Sequence, residues 1–414
     1  MRAGYLSPCL CLCLAAFVTN ACGGGDLLGS VDRTVSSATA GSVPDGLPRR
    51  LMVGLYAQHG DTWMGSSGVP WDARFRFFAK GWSNNFGTGS DDGSWATTYM
   101  NEADAHGEVP VLAYIELMGT PGNDDVLKIQ DATTMAAYFA HFKLLMQRVR
   151  DFGKPVVVLL ENTAFGYIEV GVRHDPTASA AVAASGLAEL ADLPNSVAGW
   201  GLAFLRLRRS VGAMNAKLAI DVASWASGLD VPYVDSSVPL PPEVERTWAF
   251  LGPMGLWPNA TGDTYDLLSQ HVSDDDFDYS KLVLGKDVWW EASDAASAST
   301  RSFTRYLAWL TMWNQWAARR WVLWEVPVGN SNHLDADNVG QARGGYRDNR
   351  VEWIFGPSGA EHRQALARAG VSMVLCGLAA TAQASVTNDY DTDGQLFIET
   401  HAGAFLKSGG LTLP

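Results

Sequence analysis

Two glutamates each close an apolar run of this sequence: Glu161 ends PVVVLLE, and Glu325 follows WVLW. Burial of an unpaired charge is costly, so packing alone does not explain a carboxylate at such a place. Two carboxyl groups that face one pocket can share acid and base work, because one donates a proton to a departing oxygen while the other attacks carbon or activates water. We therefore take Glu161 and Glu325 as the candidate catalytic residues, with Glu116 and Asp221 as reserve carboxylates.

Salt bridges are the structural alternative for these carboxylates. Lys80, Arg206 and Arg347 are basic residues that could neutralise them inside a shared pocket. One such pair would account for a single buried carboxylate as well as catalysis does. Two carboxylates that end two separate apolar runs favour catalysis.

From Leu51 onward the chain alternates short apolar runs with stretches of helical period, which is typical of a parallel sheet built from βα units. Eight strands are predicted, at 51–58, 75–82, 109–117, 155–161, 217–225, 266–272, 321–328 and 371–379. The stronger helical patterns lie between them, at 133–150, 195–213, 241–251, 299–319 and 360–369. The linkers after the first two strands need only a short helix each. These elements predict an α/β fold, a single (β/α)₈ barrel over residues 51–414.

The predicted barrel has long loops after its strands. The folded part exceeds the about 250 residues typical of this fold. The surplus lies mainly at 162–194, 226–240, 273–298 and 329–359. Such loops surround the face on which barrel enzymes keep their active sites. Because Glu161 closes the fourth strand and Glu325 the seventh, both carboxylates belong to that face.

This arrangement resembles the barrel glycoside hydrolases, which place the acid/base after the fourth strand and the nucleophile after the seventh. The chain is also similar to secreted bacterial barrel proteins described as hydrolases, through VLWEVPVGN and YRDNRVEW. Trp324-Glu325 follows the nucleophile pattern, whereas Glu161-Asn162 reverses the usual Asn-Glu order. The resemblance implies hydrolysis of a polysaccharide or oligosaccharide, with Glu325 as nucleophile and Glu161 as proton donor. A retaining outcome requires the two carboxyls to lie about 5–5.5 Å apart.

Two other functions stay open at this point. The first is a non-catalytic barrel lipoprotein that binds glycans. The second is a barrel enzyme of another kind, such as a polysaccharide deacetylase or lyase. The sequence feature that separates catalysis from binding is whether Glu161 and Glu325 face one pocket.

Aromatic and polar side chains near the predicted strand ends supply the binding half of a sugar site. Sugar rings stack on aromatic faces, while polar neighbours bond to the hydroxyl groups. The chain has 16 Trp, 16 Phe and 12 Tyr, enough for both a core and such a site. The predicted substrate-binding residues are His59, Trp82, Asn162, Trp225, His271, Trp289, Trp324, Asn330, Tyr346, Arg347 and Asp348.

Charge and missing motifs narrow the remaining partners. With 44 acidic against 30 basic side chains, the net charge of −14 disfavours nucleic acid. The sequence has no zinc-type HExxH, no GxSxG elbow and no phosphate-binding glycine loop. We expect a carbohydrate partner and no cofactor, with one alternative. Asp389, Asp391 and Asp393 are spaced like the first half of a calcium loop and could hold Ca²⁺.

The N-terminus predicts export. Residues 1–22 contain an apolar stretch too short to span a bilayer and end in small residues before Cys22. That end resembles a bacterial lipobox, which implies a lipid anchor on Cys22; plain secretion is the alternative. Residues 23–50 lack an apolar period and predict a flexible linker. We therefore expect a protein at the outer membrane, on the cell surface or outside the cell. The sequence indicates no oligomeric state.

Overall fold

Eight parallel strands close into a barrel in the computed structural model, and each strand pairs with its neighbours in the chain. The structure describes residues 41–117, 124–231, 238–259, 261–272, 290–291, 301–326, 350–377 and 397–413. The barrel strands are β1 Met52–Tyr56, β2 Ala73–Ala79, β3 Val109–Ile115, β4 Val156–Leu160, β5 Ala216–Asp221, β6 Leu267–His271, β7 Arg320–Val326 and β8 Val371–Cys376. All eight predicted strands and the predicted fold class are confirmed.

Helices cover the outside of the barrel. They are α1 Trp63–Ser66, α2 Ser94–Ala105, α3 Asp125–Gln130, α4 Ala132–Phe152, α5 Ala164–Gly171, α6 Val197–Val211, α7 Pro241–Leu251, α8 Phe303–Ala317, α9 Arg350–Phe355, α10 Gly359–Arg368 and α11 Phe397–Lys407. The five predicted helices are α4, α6, α7, α8 and α10. The prediction of only a short helix after β2 is wrong, because α2 has 12 residues and buries Trp95, Tyr99 and Met100. No described helix is long and apolar enough to cross a membrane.

The strand register determines which side chains meet inside the barrel. Lateral pairing partners, followed from strand to strand, lie progressively nearer the amino ends of the strands. Around the whole barrel the displacement is about eight residues, the value typical of this fold. This stagger stacks the interior side chains in layers contributed by alternate strands. One layer contains Phe75, Leu159, Ser269 and Leu375. The layer above it, nearer the carboxyl ends, contains Tyr56, Ala113, Asp221 and Trp324.

The folded unit begins before residue 51. A compact unit spans Ala38–Pro414. Val43 and Leu47 are buried, with 6% and 8% exposure. The Arg50 side chain donates to the buried Asp72 carboxylate at 2.8 Å. Residues 41–50 therefore belong to the barrel, and the predicted linker 23–50 is too long at this end. Its residues 23–40 and the predicted signal at 1–22 lie outside the described residues.

We expect a chain that starts at Leu51 to be less stable than one that starts at Ala38. The shorter chain loses the burial of two apolar side chains, each worth about 1.5–3 kcal/mol. It also leaves the buried Asp72 carboxylate without Arg50. Urea unfolding of the two chains measures the difference. Equal unfolding free energies would contradict the packing described for residues 41–50. Deletion of 23–37 alone is the control, and it should leave stability unchanged.

Candidate active site

Glu325 lies at a bulge in β7. The register shifts by one residue between Leu323 and Val326, so that Trp324 and Glu325 together face Leu375. The backbone of Glu325 has a φ of 52°, in the left-handed region that costs energy for any residue other than glycine. A regular strand would point two consecutive side chains to opposite faces. The bulge removes that alternation at Glu325.

His271, at the end of β6, contacts this carboxylate. Its Nε2 atom forms an ion pair or charge-assisted hydrogen bond with Glu325, and both side chains are at least nine-tenths buried. The His271 ring also lies 5.1 Å from the Trp324 indole, centroid to centroid. A donor N–H on a buried imidazole fixes the orientation of the carboxylate that accepts from it. Three predicted site residues, His271, Trp324 and Glu325, therefore form one contact cluster.

Aromatic rings from the other side of the barrel line this cluster. The Trp324 ring centroid lies 6.2 Å from that of Phe75 and 6.1 Å from that of Phe77. Since β2 and β7 are not neighbours in the barrel, these contacts cross its interior. Tyr56 lies 5.8 Å from Phe77. Burial raises the pKa of Tyr56, and the charge of Glu325 adds to this rise. The carboxylate of Glu325 thus lies next to a set of packed aromatic rings.

Sequence reasoning missed Tyr56 and Phe77 because neither residue ends its run with a polar side chain. The signal that could have found them is strand alternation. Each lies within two residues of the end of its strand, on the face that points inward.

Asp221 belongs to the same mouth of the barrel. It is the last residue of β5 and pairs in register with Ser269. It is 2% exposed and occupies the interior layer of Tyr56 and Trp324. This reserve carboxylate therefore lies one layer below His271.

Glu161 follows β4, and its backbone also has a left-handed φ, of 40°. Its side chain is fully buried, and the Leu117 amide donates to its two oxygens at 3.2 and 3.4 Å. The Tyr138 hydroxyl of α4 lies beside the same carboxyl. The carboxyl therefore lies between the end of β3 and α4. By the barrel stagger, the Cα positions of Glu161, His271 and Glu325 share one level.

The surroundings of Glu161 favour its protonated form. Burial raises its pKa from the ordinary value of 4.5 to about 8, and the charges of Glu116 and Asp125 add to this effect. The Tyr138 hydroxyl and the Leu117 amide act in the opposite direction. At neutral pH the carboxyl therefore holds a proton, which is the form a proton donor needs.

Glu116, the other reserve carboxylate, is already paired. Both of its oxygens lie 2.9 Å from Nδ1 of His141, on α4. The basic residues considered as structural partners are placed differently, since Arg206 binds Asp192 at 2.6 Å. Arg347 lies outside the described residues.

Two predicted binding residues take structural positions. His59 pairs with Glu102 on α2, and Glu102 also binds the buried Arg74 at 2.7 Å. Trp82 is fully buried, with its ring 5.7 Å from Phe78. A buried indole has no face left for a sugar, so we correct the role of Trp82 to packing. His59 anchors the segment after β1 to α2 through this pair, and its side chain is 45% exposed, so its predicted ligand contact stays a prediction.

Trp225 and Asn162 keep positions suited to ligand contact. The Trp225 ring is half-buried and lies 4.9 Å from the ring of Tyr167, which is 56% exposed. A Cβ at Gly166 would lie 2.9 Å from the indole, so the glycine lets the ring rest on α5. Asn162 is 5% exposed, and its side-chain oxygen has no hydrogen-bond partner among the described residues.

The other predicted site residues fall outside the described ranges. They are Trp289, Asn330, Tyr346, Arg347 and Asp348, together with Asp389, Asp391 and Asp393 of the possible calcium loop. Within the described ranges, no three His, Cys, Asp or Glu side chains are placed to hold a metal ion.

No protein-family model matches this sequence, and no curated protein matches it. Solved structures with similar folds exist. A modular endo-β-1,4-mannanase of glycoside hydrolase family 26 from Cellulomonas fimi is 12% identical over 86% of this chain and 70% of its own, with a TM-score of 0.48. A β-mannanase from a symbiotic protist of the termite Reticulitermes speratus is 10% identical over 86% and 88%, with a TM-score of 0.44. A family 26 β-mannanase from Bacteroides ovatus is 13% identical over 87% and 89%, with a TM-score of 0.42.

Replacement of Glu161 by Gln should stabilise the protein at neutral and alkaline pH. Because the folded-state pKa of Glu161 is raised to about 8, its protonated carboxyl contributes fully to the folding stability below the unfolded-state pKa. This contribution is lost as the pH rises toward 8. Gln does not ionise, and its oxygen can accept from the Leu117 amide. The gain should therefore grow from pH 4.5 to pH 8, to on the order of 2–4 kcal/mol.

Urea unfolding at pH 4, 6 and 8 measures this gain. Glu361→Gln, at an exposed position on α10, is the matched control and should show no such growth. A difference that stays constant with pH would show that Glu161 is ionised in the folded protein.

Proposed function

We propose that this chain is a retaining glycoside hydrolase that cleaves a polysaccharide or oligosaccharide, with Glu325 as nucleophile and Glu161 as proton donor. The observation that carries the proposal is the placement of Glu325. The bulge brings this carboxylate into an aromatic-lined barrel mouth, where His271 holds it.

The chemistry of glycosidic cleavage fits these surroundings. Positive charge develops on the sugar ring in the transition state, and a carboxylate at the anomeric carbon stabilises that charge before bonding to it. The partly exposed rings of Tyr56 and Phe77 offer apolar surface to the sugar ring, and the buried Trp324 supports them from behind. A buried, protonated Glu161 supports the role of acid, because a proton donor must still hold its proton at the working pH.

Asp221 is the reserve proton donor. Its side chain belongs to the interior layer below His271, whereas the carboxyl of Glu161 lies between the end of β3 and α4. Full burial of Glu161 is also the observation that favours the alternative function, a barrel that binds glycans without cleaving them.

Substitution of the two glutamates should separate these possibilities. Glu325→Gln should lower turnover by at least about a thousand-fold, because the nucleophile is removed. Glu161→Gln should lower it by roughly 10²–10⁴-fold on natural sugars but spare activated aryl glycosides, whose leaving group needs no proton. Released reducing ends and released aryl alcohol are the two measurements.

Glu361→Gln serves as the control for both substitutions and should keep full activity. If Glu161→Gln keeps full activity and Asp221→Asn loses it on natural sugars only, Asp221 is the acid. If the unsubstituted protein binds glycans but releases no sugar, its function is binding instead.

We also propose that the protein is exported and anchored through a lipid on Cys22. The support is the apolar stretch and the lipobox-like end of residues 1–22. Cys22→Ser should move the protein from the membrane fraction to the soluble exported fraction, as followed by immunoblotting. An unchanged distribution would leave plain secretion as the explanation.

A further inference from the structure

Helix α4 presents two titratable side chains to the region around Glu161. Tyr138 and His141 are three residues apart on this helix, so they lie on one face. Tyr138 lies beside the carboxyl of Glu161. His141 holds Glu116, with its Nδ1 2.9 Å from each carboxylate oxygen. One helix face therefore meets both carboxyl groups.

A single peptide bond joins the two carboxyl sites. Glu116 and Leu117 are consecutive, and the Leu117 amide donates to Glu161 at 3.2 Å. The other end of Leu117 is also held, because the Lys128 ammonium donates to its carbonyl at 2.7 Å. The backbone of Leu117, held by hydrogen bonds at its amide and at its carbonyl, therefore links the Glu116 site to Glu161.

Burial increases from His141 to Glu161. The side chain of His141 is 32% exposed and that of Glu116 is 6% exposed. Glu161 is fully buried. His141 is therefore the member of the three that exchanges protons with solvent most freely.

We propose that His141 and Glu116 are positioning residues that sense the solvent pH and adjust how firmly Glu161 holds its proton. A charged His141 neutralises Glu116. When His141 loses its proton, the Glu116 charge is no longer compensated, and a nearby negative charge favours the protonated carboxyl. Rising pH therefore strengthens the hold of Glu161 on its proton. The effect widens the pH range over which Glu161 can donate, and this catalytic part rests on the proposed function.

The pKa shifts of His141 and Glu161 agree with this coupling. The hydrogen bond to Glu116 raises the pKa of His141. Burial raises the pKa of Glu161, and the Glu116 charge raises it further.

Other titratable groups face the same site, and they do not replace the pair. Asp125 on α3 also favours protonated Glu161, but the Lys128 ammonium binds it at 2.8 Å and compensates its charge. The neutral hydroxyls of Tyr138 on α4 and Tyr114 on β3 also approach Glu161. The charge of one further carboxylate, Asp91, raises the pKa of His141.

The experiment measures the pKa of Glu161 through stability, without any substrate. In the full-length protein, the unfolding free energy is compared with that of its Glu161→Gln derivative across pH 4–10. The pH at which their difference stops growing reports the folded-state pKa of Glu161. Glu116→Gln should lower this pH by about one unit, because it removes a nearby like charge.

His141→Gln should shift the same pH in the opposite direction. Gln can still donate to Glu116 but carries no positive charge, so the Glu116 charge stays uncompensated at every pH. We expect an upward shift of roughly half a unit or more. In the Glu116→Gln background, His141→Gln should have no effect. An equal effect in that background, or a downward shift, would overturn the proposal. His141→Asn provides a second neutral replacement if the Gln variant folds poorly.

His174 is the matched control. It pairs with another buried glutamate, Glu169, through a contact of 2.9 Å, and its side chain is 29% exposed. His174→Gln therefore removes a similar pair without touching Glu116. It should leave unchanged the pH at which the stability difference from Glu161→Gln stops growing. A shift equal to that of His141→Gln would show a general loss of charge rather than this coupling.

The alkaline limb of the kcat/KM profile on a polysaccharide tests the catalytic part. It should move down in Glu116→Gln and up in His141→Gln. A limb that stays fixed while the stability measurement shifts would show that the pair controls Glu161 but that Glu161 is not the proton donor. Failure of the proposed function is thus distinguishable from failure of the coupling.

Discussion

The left-handed backbone at Glu325 is the constraint on which the arrangement of the candidate site depends. A regular β7 would alternate, with Trp324 inside the barrel and Glu325 outside against the helices. One extra residue between Leu323 and Val326 brings the carboxylate to His271 instead. A non-glycine residue in this conformation costs about 1–3 kcal/mol, and such strain persists only where the surroundings enforce it. Here the ring contacts of Trp324 and the contact with His271 enforce it.

The two candidate catalytic glutamates are both buried, and the charge of each is neutralised in a different way. Glu325 is compensated by a partner, the imidazole of His271. Glu161 is neutralised by its own proton, since burial raises its pKa to about 8. An isolated buried charge would destabilise the fold, so one of these solutions is required for each. The two carboxyl groups are thus stabilised by different means, by an imidazole at Glu325 and by a bound proton at Glu161.

The barrel stagger explains why residues far apart in the chain meet. With a displacement of about eight residues around the closed sheet, the ends of β4, β6 and β7 reach one level. Alternate strands then contribute to each interior layer, so Asp221 and Trp324 share one layer with Tyr56. The candidate site is thus a product of closure: an open sheet with the same pairs would not bring Phe77 against Trp324.

The sequence by itself determined the eight strands, because buried parallel strands have continuous apolar sequences. It also located the polar residues that end those runs, including Glu161, Glu325, Asp221 and His271. It did not determine where their side chains point. Two left-handed residues break the alternation on which such a prediction depends, and packing across the barrel, rather than residue type, stabilises them. The same holds for Trp82 and Trp225, which look alike in the sequence. Only tertiary packing buries the first under α2 and leaves the second beside an exposed ring, because burial depends on neighbours that are distant in the chain.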